Sequence, residues 1–311
     1  MIRVLVVDDS AFSRKTISKI LESIPGVEVI DTAQDGQDAL KKVMRLRPDL
    51  ITLDLEMPLM DGFTFLRWVM STMPTPVIVV SAQEADENVF KAMDLGAVDF
   101  VVKPTKYASV QLEDIKNDLI EKVLATPLLE MQKVKMRIQA QTIRGNQETQ
   151  RILPDEIPKI IGIASSTGGP TAIHSILNSL PTNFPVPIVI AQHMPPSFTA
   201  LFADRLNKYT PLTVKEAEED DLILPSRAYI APGGHHLIVE KRSNKLYARI
   251  LKKETDLRYS PSANVLFKSI AEELQSRTVG AVLTGMGDDG KDGMKYIKDK
   301  GGITIAESEK T

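Results

Sequence analysis

The sequence predicts an α/β protein of two units, each built on a mostly parallel sheet covered by helices. Two observations carry this expectation. Short, nearly continuous apolar runs rich in β-branched residues alternate with amphipathic stretches, and the alternation lapses once before it resumes. Continuous apolar runs suit parallel strands buried on both faces, and strand–helix alternation implies doubly wound sheets. A third observation is length, since 311 residues accommodate roughly two domains of ~150 residues, each able to bury its own core.

In the first unit, residues 1–105, the strand-like runs are Arg3–Val7, Val27–Thr32, Leu50–Asp54, Val77–Ser81 and Asp99–Val102. Helix-like segments such as Ser13–Ile24 and Gln37–Arg45 lie between them, with breakers at Pro25-Gly26 and Pro48-Asp49. The pattern is (βα)5. A last helix is expected to run to about residue 128, followed by a Gln-rich, basic-leaning linker over 129–155. In the second unit, residues 156–311, the strand-like runs are Ile160–Ala164, Val186–Gln192, Arg227–Ile230, Leu237–Glu240, Leu246–Leu251, Val279–Leu283 and Ile303–Ile305. Pro170–Leu180, Phe198–Asn207, Asn264–Leu274 and Asp292–Lys300 read as helices, and a hairpin is expected around Lys241–Asn244. No internal repeat relates the two units.

Composition narrows the chemistry. With no cysteine, thiolate nucleophiles, thiolate metal sites and disulfides are excluded. A net charge of −3 and the lack of a helix-turn-helix signature argue against nucleic acid as a partner. MIRVLVVDDS reads as a core strand, not a signal peptide, and no apolar stretch approaches the ~20 residues of a membrane span. The expected location is the cytoplasm, without membrane insertion.

Strand ends carry the polar residues of the first unit. The first run ends in Asp8-Asp9, the third in Asp54, and the fifth leads into Lys103-Pro104. Ligands of open α/β sheets bind at the carboxyl ends of the strands, so three carboxylates and an ammonium are expected to converge on one rim. Clustered carboxylates call for a cation, and an all-oxygen set suits Mg²⁺. A carboxylate can attack a phosphoryl group, which Lys103 would help neutralise. Taken singly, Asp9 or Ser10 reads as a helix cap and Lys103 as a surface residue; the joint arrangement is much harder to obtain by chance.

The motifs VLVVDDS, DLITLDLEMPLMDG, VIVVSA and GAVDFVVKP resemble the receiver domains of two-component response regulators, which have a flavodoxin-like fold. The resemblance implies Asp54 as phosphoacceptor, with Mg²⁺ held by Asp8, Asp9, Asp54 and the backbone carbonyl of Glu56. It further implies Ser81 and Phe100 as switch residues and Lys103 as the salt-bridge partner of the phosphoryl group.

In the second unit, GIASSTGGP places two serines where a strand breaks into a Gly-rich turn before a helix. Such a turn exposes a hydroxyl beside backbone N–H groups, which suits an oxyanion or, equally, a bound phosphate. It is not the G-x-S-x-G elbow, because Ala164 stands at the first glycine position. Of the histidines, His174 falls within a helix, while His235 and His236 follow a Pro-Gly-Gly turn. His193 ends the run VPIVIAQH and is the best base candidate. Asp288, Asp289 and Asp292 lie in or beside the loop TGMGDDGKDG, whose spacing does not match the calcium-loop pattern. A Ser…His…Asp order differs from that of α/β-hydrolases, so a triad here is a separate solution.

IASSTGGP, IAQHMPPSFT, IAPGGHHL and LTGMGDDGKDG, in this order behind a receiver, resemble the chemotaxis protein-glutamate methylesterase and glutaminase family. The resemblance implies a phosphorylation-activated carboxylic-ester hydrolase acting on glutamyl methyl esters, and on certain glutamines, of methylated chemoreceptors. Ser166 would be the nucleophile in preference to Ser165, His193 the base and Asp289 the orienting acid. Backbone N–H groups of Thr167 and Met286 would hold the oxyanion, with no cofactor for hydrolysis. A chemotaxis histidine kinase would donate the phosphoryl group, and the unphosphorylated receiver would restrict access to the triad. Asn264 stands where the family more often has Asp, at a position expected to touch no triad residue. Family members continue past ITIAESEKT into another strand and helix, so the C-terminal end is expected to be incomplete.

Overall fold

The computed structural model of the chain describes residues 1–81, 87–103, 109–126, 159–252 and 257–307. By its internal contacts the chain divides into two compact units, Met1–Arg144 and Gly145–Thr311. The expected linker, 129–155, lies outside the described residues.

The five apolar runs of the first unit become β1 (Ile2–Val7), β2 (Val27–Ala33), β3 (Leu50–Asp54), β4 (Val77–Ser81) and β5 (Asp99–Val102). All pair in parallel, in the order β2-β1-β3-β4-β5. Each change of direction has a local cause. Helices α1 (Ala11–Glu22), α2 (Gly36–Leu46) and α3 (Gly62–Thr72) start at Ser10, Asp35 and Asp61, whose side chains accept an N–H of the first turn. Gly62 lets α3 begin against β3, since a Cβ there would fall 2.3 Å from the Asp54 carbonyl oxygen. Helices α4 (Glu87–Asp94) and α5 (Ser109–Ala125) complete the unit. Val4, Val6, Leu50, Ile78 and Val101 pack against Ile17, Leu21, Leu119 and Val123 of α1 and α5 in one core.

A charge lies inside this core. Lys122 of α5 and Asp99 of β5 are buried and 3.3 Å apart, with Asp118 at 3.0 Å from the same ammonium. Lys122 also donates to the Phe100 carbonyl. Burial pushes Asp99 up, against the pull of Lys122. Removing one partner of a buried pair leaves the other uncompensated. Lys122→Ala is therefore expected to destabilise the first unit by about 3–5 kcal/mol, read as the shift of its thermal transition.

In the second unit a six-stranded parallel sheet has the order β13-β12-β6-β7-β9-β8. Its strands are β6 (Ile160–Ser165), β7 (Ile188–Gln192), β8 (Thr213–Glu216), β9 (Arg227–Ile230), β12 (Thr278–Val282) and β13 (Ile303–Ala306). The run expected from Val186 starts only at Ile188, after Pro187, which has no N–H to give a ladder. Strand β8 escaped the sequence reading because it is a short edge strand, TVKE, with only Val214 buried. The expected hairpin forms β10 (His235–Arg242) and β11 (Lys245–Lys252). Its turn, Ser243-Asn244, has both residues at positive φ, as a tight type I′ connection requires. Helices α6 (Gly169–Ser179), α7 (Pro196–Tyr209), α8 (Ala263–Leu274) and α9 (Lys291–Asp299) cover the sheet. Phe267 and Ile270 of α8 approach Gly162 of β6 so closely that a Cβ there would fall 2.6 Å from Ile270.

Candidate active site

At the receiver rim, β1 and β3 bring Asp8 and Asp54 together, both buried, with Asp9 exposed beside them. One carboxylate oxygen from each lies within 4.8 Å of the others. Lys103, just past β5, sits 2.7 Å from Asp54 Oδ2 and 3.0 Å from Asp8 Oδ2. Burial pushes Asp8 up to about 6, against the pull of Lys103. Burial raises Asp54 as well, again opposed by Lys103. Lys103 itself is lowered by burial, yet its contacts with Asp54 and Asp8 outweigh this and hold it above its ordinary value. One ammonium among three carboxylates leaves the rim short of positive charge. The all-oxygen donor set therefore fits a small divalent cation.

The remaining receiver residues fall around this rim. The Glu56 amide donates to Asp54 Oδ1 at 3.3 Å. Ser10 is the cap of α1, so the capping reading applies to it. Phe100 is buried edge-on to Phe90, ring centroids 6.2 Å apart, with Lys122 Nζ 4.9 Å from its ring. Ser81 ends β4 opposite Val102, and its side chain lies outside the described residues.

In the second unit three contiguous parallel strands, β12, β6 and β7, end at one edge and carry Asp289, Ser166 and His193 in the segments that follow. Backbone bonds stitch these segments together: Ser166 N–H to Thr284 O at 3.0 Å, and His193 N–H to Ser165 O at 3.0 Å. The two serines face different surroundings. Ser165 Oγ donates to Gln192 Oε1 at 2.6 Å and is committed there. Ser166 begins the turn into α6, and Gly285 of the facing loop comes so close that a Cβ there would lie 2.7 Å from Ser166 Cβ.

His193 Nε2 lies 2.9 Å from Asp289 Oδ2. Asp289 receives three further bonds, from Ser262 Oγ at 2.9 Å, Ala263 N–H at 2.7 Å and Asn264 N–H at 3.0 Å. The carboxylate therefore rests on the N-terminus of α8, where free amides favour an anion. Burial alone would raise Asp289, but the bonds from His193, Asn264 and Ala263 outweigh it and hold the group below the ordinary range. An ionised carboxylate only accepts, so Nε2 carries the proton and Nδ1 is the basic nitrogen. Nδ1 is buried and has no hydrogen-bond partner among the described residues. The Tyr259 ring stacks on the imidazole, centroids 4.4 Å apart and planes within 1°.

Other candidates separate cleanly. Asp288 and Asp292 are exposed, and His174 is half-buried in α6, where burial lowers its pKa. His236 is buried and accepts the Ser262 N–H at Nδ1, 3.1 Å away, while His235 Nδ1 lies 3.3 Å from Gly233 O. One expectation is corrected. Asn264 does touch Asp289, through its backbone N–H, while its side-chain carbonyl accepts Gly293 N–H at 2.7 Å. A residue type reveals only its side chain, whereas this contact is made by the backbone. Gln192, Tyr259 and Ser262 are not among the residues predicted from sequence, although Ser262 stands as an N-cap before the helical pattern ANVLFKSI. Ser262→Ala removes both the cap and a bond to Asp289. It is expected to cost about 1 kcal/mol of stability, measured by denaturant titration, with a partial loss of turnover.

A parallel five-stranded sheet that delivers two buried aspartates and a lysine to one rim defines a response-regulator receiver, here followed by a second α/β unit with a parallel sheet. Family models agree, matching the response regulator receiver domain over residues 4–113 and the CheB methylesterase over residues 161–311. The chain belongs to the protein-glutamate methylesterase/protein-glutamine glutaminase family. A relative so named from Geobacter sulfurreducens is 45% identical over 100% of this chain and 88% of its own length. One from Archaeoglobus fulgidus is 42% identical over 99% of this chain and 88% of its own. Among solved structures, the Thermotoga maritima CheB methylesterase catalytic domain is 42% identical over 50% of this chain and 82% of that one, with a TM-score of 0.48. Receiver domains in general take Mg²⁺ for phosphorylation and a histidine kinase as phosphodonor. Among the described residues no helix is long and apolar enough to cross a membrane.

Proposed function

We propose that the chain hydrolyses glutamyl methyl esters, and deamidates glutamines, on methylated chemoreceptors, under the control of phosphorylation at Asp54. The observation that carries this reading is the His193–Asp289 bond of 2.9 Å, which leaves Nδ1 without a hydrogen-bond partner among the described residues, at the end of the strand next to the one that leads into Ser166. Ser166 Oγ attacks the ester carbonyl while His193 Nδ1 takes its proton. The carbonyl oxygen becomes an oxyanion held by the Thr167 and Met286 N–H groups, neither of which is engaged in a hydrogen bond among the described residues. Collapse of the tetrahedral species breaks the C–O bond, and the imidazolium protonates the departing methoxide to methanol. Water, deprotonated by His193, then attacks the acyl-enzyme and leaves a receptor carboxylate and free Ser166. With a glutamine, ammonia leaves in place of methanol. Asp289 keeps the imidazole in the productive tautomer and stabilises its charged form. The hydrolysis needs no cofactor.

In the receiver, Asp54 is the phosphoacceptor, and Asp8, Asp9, Asp54 and the Glu56 carbonyl are the residues that would hold Mg²⁺. A bound Mg²⁺ supplies the positive charge that offsets the phosphoryl oxygens as they approach the carboxylates. Lys103, already on Asp54, pairs with the phosphoryl group, and Ser81 and Phe100 respond to it. The receiver core spans residues 1–105 and the catalytic unit begins near 156. The test is methanol release from methylated receptor: loss in Ser166→Ala, His193→Ala and Asp289→Asn supports the triad, and retention in any one removes that residue from it.

A further inference from the structure

Gln192, the last residue of β7, is buried and each function of its amide is used. Oε1 accepts from Ser165 Oγ at 2.6 Å, and Nε2 donates to the carbonyls of Ser166 and His193, both at 3.0 Å. Its orientation is forced, because carbonyls can only accept and so must face the NH₂ group. Glycine at 169 makes the room, since a Cβ there would lie 2.1 Å from Gln192 Oε1.

The Ser166 carbonyl also accepts the Gly169 N–H at 2.9 Å. A trans peptide is planar, so its N–H points opposite to its C=O. Two donors on the Ser166 carbonyl therefore set the direction of the Thr167 N–H, which takes part in no hydrogen bond among the described residues. The same Nε2 holds the carbonyl of His193, so one side chain ties the nucleophile's peptide to that of the base. We propose that Gln192 is a positioning residue for hydrolysis: it aims the Thr167 N–H at the developing oxyanion and keeps His193 in register with Ser166. The proposal rests on the serine-hydrolase reading above.

The test is labelling of Ser166 in the full-length chain by a fluorophosphonate, whose tetrahedral adduct uses the same oxyanion donors. Saturation kinetics separate reversible binding, KI, from the bond-forming step, kinact. Gln192→Met keeps the length and removes both donors, and Gln192→Glu sets a carboxylate against two carbonyls. An oxyanion donor lost outright costs about 10²–10³-fold, and a misplaced one less. We expect kinact to fall about 10–100-fold in Gln192→Met and further in Gln192→Glu, with KI within about twofold of wild type. Thermal unfolding identifies the folded variants, and Gln192→Met decides if the charged one does not fold. A merely structural glutamine would lower the unfolding midpoint and leave kinact of the folded protein within about twofold, which would overturn the proposal. An unlabelled Ser166 in the wild type sinks the hydrolase reading itself, a result distinct from equal labelling of wild type and variants.

Discussion

Ser166→Ala is expected to reduce methyl-ester hydrolysis by a factor on the order of 10⁴–10⁶ while the chain stays folded. Among the described residues the hydroxyl of this proposed nucleophile makes no hydrogen bond the fold depends on. Its backbone does the structural work, through Ser166 N–H to Thr284 O and the carbonyl bonds from Gly169 and Gln192. Alanine keeps all three. Ser165→Ala gives the contrast, since its hydroxyl is spent on Gln192 at 2.6 Å and has no substrate to meet. A loss of roughly tenfold, about 1.4 kcal/mol in the barrier, is expected there. Steady-state methanol release distinguishes the two. If Ser165→Ala is dead and Ser166→Ala active, the nucleophile has been assigned to the wrong neighbour.

Asp54→Asn is expected to abolish incorporation of phosphate from a small donor such as acetyl phosphate. An amide oxygen is a poor nucleophile, and the substitution removes one of the three acids whose oxygens lie within 4.8 Å. Chelation of Mg²⁺ by EDTA should have the same effect, because one ammonium among three carboxylates leaves the rim no surplus positive charge to receive a phosphoryl group. Lys103→Ala should still accept some phosphate but respond to it weakly in methanol release. Acid-stable or metal-independent labelling of the Asp54→Asn chain contradicts the assignment.

Much of this was legible in the sequence because function sits at strand ends. Strands β3, β4, β5 and β9 have the bounds their apolar runs predict, and Asp8, Asp54 and Lys103 meet because parallel strands end at one edge. His193 and Asp289 follow the same rule, on either side of β6. What escaped the reading lies in contacts between distant segments. Gln192 looks like the last residue of a strand until the fold sets it against Ser165 and Ser166, and Ser262 looks like a helix cap until Asp289 arrives above it. Tyr259 belongs to no element, so neither periodicity nor propensity marks it, although its ring lies flat on the His193 imidazole. Strand β8 failed for an energetic reason: an edge strand with one buried side chain carries almost no apolar signal.

The central claim is that phosphorylation of Asp54 governs hydrolysis at Ser166 within one chain. Methanol release from methylated receptor, measured with the full-length protein with and without acetyl phosphate and Mg²⁺, addresses it directly. The account predicts a low basal rate that rises on phosphorylation by roughly 5–150-fold, the span of typical coupling free energies. The rise should be absent in Asp54→Asn, and all release should be absent in Ser166→Ala. A rate that is equal with and without the phosphodonor, in protein shown to carry phosphate on Asp54, would contradict it.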